Sequence, residues 1–107
     1  MSLDVSLMKT MPTEMYTSNI THNLNQMAEA AGIYQALWRP DEIGITKAEQ
    51  LIPLLRKGLE DLQDRPDYFK TFNPANGWRS YDGLVRFVRE YLNACIDHPD
   101  ADVEVSR

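Results

Sequence analysis

Three groups of residues in this chain are of types that could do chemistry. The first is Asn19-Ile20-Thr21-His22-Asn23, followed by Gln26. Its spacing predicts the opening of a helix, capped by Ser18 or Asn19. Such an opening carries free amides and a partial positive charge, so it can hold an anion. The second group is a pair of Trp-Arg steps, Trp38-Arg39 and Trp78-Arg79, in predicted loops beside helix ends. Indole and guanidinium together can grip a planar or phosphorylated ligand by stacking and charge. If the loops converge on the helix start, Asn19, His22, Asn23, Trp38, Arg39, Trp78 and Arg79 would line an amphipathic pocket. Each residue alone also has a plainer reading: a solvated histidine, a tryptophan plugging the core beneath a loop, an arginine in a surface ion pair.

The third group, Asp97-His98-Pro99-Asp100-Ala101-Asp102, sets oxygen ligands beside an imidazole, as a divalent cation would want. It lacks the central glycine and closing glutamate of a calcium loop, so it reads as solvated charge ending a helix, with no metal expected. Catalytic signatures are sparse. There is no Walker loop, no Gly-x-Ser-x-Gly and no His-Glu-x-x-His. With two histidines and one cysteine in the chain, a Cys-His pair is a poor prospect. Catalysis would need carboxylates assembled by the fold, giving a weak hydrolase or transferase. The reading leans away from an enzyme, and no cofactor is expected.

These groups need elements to position them. Leu3, Val5 and Leu7 alternate with Asp4 and Ser6, the period of a half-buried strand over about residues 2–9. Thr10-Met11-Pro12-Thr13 reads as a turn, and Glu14 to Thr17 as a short returning strand. Ile20, Leu24, Met27, Ala28 and Ala31 share one face of a first helix, closed by Gly32 with Ile33 as its hydrophobic contact. Ile33 to Leu37 can add one helical turn before Trp38-Arg39-Pro40 breaks it. Thr46-Lys47-Ala48-Glu49 forms a capping box, with Ile45 as staple, for a second helix reaching about residue 63. Pro53 predicts a kink or a late start there, and Gly58 a further weakening. Pro66 opens a short turn bearing Tyr68 and Phe69. Asn73-Pro74-Ala75-Asn76-Gly77 is turn chemistry, and Ser80 caps a third helix with Tyr81, Leu84, Val85, Val88, Tyr91, Leu92 and Cys95 along its stripe. Val103 and Val105 alternate with acidic residues in a final strand.

Terminal strands cannot leave their backbone groups unbonded, so they pair with each other. The expected fold is α+β: a small, mostly antiparallel sheet of two or three strands, its N- and C-terminal strands paired, under three main helices. At 107 residues, with 43% hydrophobic and 25% charged, residues 1–107 read as a single domain. The net charge of -5 argues against a dedicated nucleic-acid binder. The single Cys95 excludes an internal disulfide and falls on the apolar stripe. No run is long enough to span a membrane, and Met1-Ser2-Leu3-Asp4-Val5 lacks the features of a signal peptide. A reducing cytoplasm is therefore the expected location. Met8, Met11, Met15 and Tyr16 gather at the N-terminal hairpin, either as core or as an adaptable partner surface.

Asn19-Ile20-Thr21-His22-Asn23-Leu24, Gly32-Ile33-Tyr34, Leu37-Trp38-Arg39-Pro40, Asn73-Pro74 with Asn76-Gly77-Trp78, and Val103-Glu104-Val105-Ser106-Arg107 resemble a group of small bacteriophage and prophage proteins. The resemblance runs along nearly the whole chain and brings no activity, cofactor or catalytic residue with it. It implies an accessory product of a bacterial or phage-infected cell. The expected function is that of a non-enzymatic accessory protein binding a host or phage protein. The alternatives are a module for a small anionic or nucleotide-like ligand, using the pocket above, and the weak hydrolase or transferase.

Overall fold

The computed structural model describes residues 2–8, 14–21, 24–73 and 81–106. Strand β1 is Ser2–Met8, β2 is Glu14–Thr21 and β3 is Asp102–Ser106. They form one three-stranded sheet in the order β2-β1-β3, both pairings antiparallel. The terminal strands therefore meet as expected, with Val5 opposite Val105 and Leu7 opposite Val103. The connection between β1 and β2, where a turn is predicted, lies outside the described residues.

The alternation that predicts β1 also decides which side is buried. Leu3, Val5 and Leu7 are fully buried, and Ile20 opposite Leu3 joins them. Asp4, Thr17, Asn19, Glu104 and Ser106 are exposed on the other face, with Ser6 half-buried among them. One face thus meets the helices and the other meets water, the ordinary economy of a small antiparallel sheet.

Among the described residues five helices follow: α1 (Asn25–Ala30), α2 (Tyr34–Trp38), α3 (Ala48–Asp64), α4 (Pro66–Lys70) and α5 (Tyr81–Asp97), with a 3₁₀ turn at Pro40–Ile43. The long pair, α3 and α5, pack on each other, and α5 also packs on β2. Tyr16 of β2 stacks on Tyr91 of α5, ring centroids 5.9 Å apart and planes 12° apart. Cys95 lies in the same core, where burial pushes its thiol up to about 12. No helix among the described residues is long and apolar enough to cross a membrane.

Two expectations about the chain path are corrected. The first helix does not begin at Ser18 or Asn19. Those residues continue β2, and the helix begins at Asn25. Ile20 and Leu24 share a helical spacing, but Tyr16, Ser18 and Ile20 also share a strand parity, and pairing along β1 satisfies the backbone groups of those three residues. Secondly, α3 does not start late at Pro53, which lies inside a helix running from Ala48 to Asp64. Pro53 and Glu49 are both exposed, so the carbonyl that loses its amide partner is open to water.

Candidate functional site

The end of α1 is built as its sequence predicts. Gly32 sits at φ 77°, in the left-handed region. Its amide bonds to the Glu29 carbonyl, and the Ile33 amide to that of Ala28, the two bonds of a Schellman motif. The tight reversal starts α2 at once and lays Tyr34 against Trp38, rings stacked at 5.6 Å and 13°. Trp38 is buried to 3% exposure, so it serves as a core plug rather than a stacking platform. Arg39 turns back along α2, donating from Nε to the Tyr34 hydroxyl at 3.3 Å and from Nη1 to Glu42 Oε2 at 3.2 Å. The bond to Tyr34, and then Glu42, raises its pKa above the ordinary arginine value. This guanidinium is already engaged by its own neighbours.

Around that motif the surface is hollowed. A depression of about 370 Å³ is lined by Glu29, Gly32, Tyr34, Gln35 and Glu42. A second, about 550 Å³, shares Gly32 and Gln35 with it and continues over Ile43, Pro53 and Leu54 toward Gln50. Gly32 and Gln35 belong to both, so the two halves adjoin. One half presents two carboxylates and a phenol. The other presents Ile43 at 40% and Leu54 at 37% exposure, two of the large apolar side chains left uncovered on the described surface. Gly32 keeps the shared floor low, because no Cβ rises from it.

The start of α3 is spent structurally. The Ala48 amide donates to the Ala101 carbonyl and the Glu49 amide to that of Pro99, both at 2.9 Å. Gln50 Oε1 accepts from the backbone amides of Thr46 and Lys47 at 2.8 and 2.9 Å. The cap is thus one residue later than predicted, with Gln50 in the role expected of Glu49. The same loop carbonyls dispose of the acidic run 97–102: Pro99 and Ala101 hold the helix, and Asp102 is ion-paired with Lys47. No three histidine, cysteine or acidic side chains converge for a metal among the described residues.

Three of the predicted site residues, Asn19, Trp38 and Arg39, are among the described residues. Asn19 lies exposed on β2, opposite Asp4, and not at a helix start. Trp38 is inside, and Arg39 is held by Tyr34 and Glu42. His22, Asn23, Trp78 and Arg79 lie outside the described residues. Of the methionine-tyrosine group, Tyr16 faces the core, while Met11 lies outside the described residues. The residues that line the depressions escape sequence reasoning. Leu54 carries one detectable signal, an apolar residue off the stripe of α3 and next to Pro53. Glu29, Gln35 and Glu42 carry none, because lone polar residues on short helices are ordinary. Compared with family models, curated proteins and solved structures, the chain matches none of them.

Proposed function

We propose that this chain is a non-enzymatic accessory protein that works by binding another protein, at the paired depressions beside α2. The observation that carries this reading is the joining of an acidic hollow, Glu29 and Glu42, to an apolar one, Ile43 and Leu54, through Gly32 and Gln35. Two adjacent hollows of unlike chemistry suit two neighbouring side chains of one partner segment. Glu29, in no ion pair among the described residues, favours a lysine or arginine beside the Glu42–Arg39 pair, and the apolar half a leucine, isoleucine or methionine. The chain's net charge of -5 would steer a basic partner toward it. The same charge works against an anionic small molecule, and Arg39 is already bonded to Tyr34 and Glu42 of the acidic hollow. The setting we propose, a bacterial or phage-infected cytoplasm with a host or phage protein as partner, rests on the resemblance of the quoted motifs.

Selection of a random peptide library on the immobilised chain tests this. Enriched peptides should pair a basic residue with a neighbouring large apolar one. Their binding should weaken at least about tenfold, equivalent to about 1.4 kcal/mol, on Glu29→Lys with Glu42→Lys, and separately on Leu54→Asp. Acid-rich peptides, or binding indifferent to these substitutions, would overturn the proposal.

A further inference from the structure

β2 is an outer strand of the sheet, and the register gives the direction of its backbone groups. The Val103 amide donates outward, to the Thr46 carbonyl at 2.9 Å. Val103 and Leu7, directly opposite, are therefore a non-hydrogen-bonded pair of the antiparallel ladder. Leu7, Val5 and Leu3 then turn their amides and carbonyls to β2, where they meet Tyr16, Ser18 and Ile20. Thr17 and Asn19 are left with amide and carbonyl directed away from the sheet, and no backbone partner for them exists among the described residues.

Free edges are ordinarily defended by charge, proline or a bulge. Tyr16-Thr17-Ser18-Asn19-Ile20-Thr21 contains no charged residue and no proline. The register irregularity falls between Leu7 and Met8, toward the other end of β2. Beside this edge α5 places Arg86 and Glu90, which line a cleft of about 160 Å³ with Ser18 and Asn19. Both are exposed, and neither forms an ion pair among the described residues.

We infer that β2 pairs antiparallel with β2 of a second copy of this chain, about a two-fold axis at Ser18, joining two sheets into one. That axis sets Thr17 opposite Asn19 and Asn19 opposite Thr17. These are the residues whose backbone groups point outward, so the strand is complementary to itself. The reversal also brings Arg86 toward Glu90 of the second copy, and the symmetry repeats that pair. The outer edge of β3 is the poorer partner, because Thr46 already holds Val103 and Lys47 bridges Asp102. Pairing β2 with β3 of another copy would also leave open ends and a growing chain, whereas β2 with β2 closes. This contact shares no residue with the depressions beside α2.

Sedimentation equilibrium of the full chain decides the matter. A monomer–dimer equilibrium is expected. Asn19→Pro removes an outward amide and should leave a monomer, with circular dichroism confirming the fold. Arg86→Glu, on an exposed residue that the fold does not need, should raise the dimer dissociation constant at least about tenfold, because two pairs become repulsive. Arg86→Glu combined with Glu90→Arg should restore it. A monomer at the highest soluble concentration overturns the inference. So does a dimer unaffected by Arg86→Glu, or one abolished by Val105→Pro but not by Asn19→Pro.

Discussion

Ile33 seats its side chain directly over Gly58. A Cβ at position 58 would overlap Ile33 Cγ2. Ile33 is 1% exposed and Gly58 is buried, so the contact locks the α1–α2 reversal onto α3. The glycine that reads as a weak point of α3 is the socket for the preceding segment.

Gly58→Ala should therefore destabilise the fold. Alanine favours a helix over glycine by about 1 kcal/mol. Overpacking a closed contact costs about 1–3 kcal/mol, which outweighs it. Urea unfolding should show a net loss of up to about 2 kcal/mol for Gly58→Ala. In an Ile33→Ala background the same substitution should cost nothing, because the overlapping methyl is gone.

The two polar ties at the start of α3 should differ in weight. Gln50 Oε1 satisfies two backbone amides. Lys47 pairs with Asp102 on a surface where both side chains are nearly half exposed. Gln50→Ala is expected to cost about 1 kcal/mol, as loss of a helix cap does. Lys47→Ala should cost less, a few tenths of a kcal/mol, and its effect should fade in high salt. Denaturation midpoints at low and high salt separate the two.

Tyr91 is fully buried, and its hydroxyl has no hydrogen-bond partner among the described residues. Removing a buried, unbonded polar atom while keeping the ring relieves a desolvation cost. Tyr91→Phe should leave the fold unchanged and raise its stability by about 1 kcal/mol. A loss of stability in thermal melts would show that the hydroxyl is bonded.

Alkaline pH should weaken this core. Burial raises Cys95 from an ordinary 9.0 to about 12, and it raises the Tyr91 phenol above its ordinary 10.0. The folded chain keeps both protons where the unfolded chain has lost them. Stability is then undiminished below about pH 9 and falls as pH climbs from there toward about 12. The Tm measured across that window should drop, and the drop should be shallower when Tyr91→Phe and Cys95→Ala are combined.

Much of the fold is legible in residue order alone, because its signals are local and repeated. The alternation of Leu3, Val5 and Leu7, the stripe from Tyr81 to Cys95, and Gly32 after a helix each reflect a period or a backbone angle that few alternatives satisfy. The pairing of the terminal strands followed from backbone satisfaction. Where two periods competed, over Ile20 and Leu24, local spacing misled, because strand pairing with Leu3 is a contact between distant segments. The roles of Gly58, Gln50 and Arg39 likewise depended on what lay across from them. So did the site. Glu29, Gln35, Glu42 and Leu54 sit on separate short or exposed stretches with no shared period, and only the folding of α2 between α1 and α3 gathered them. Periodic burial is written along the chain, whereas a surface hollow is made by elements meeting, and that meeting is decided in three dimensions.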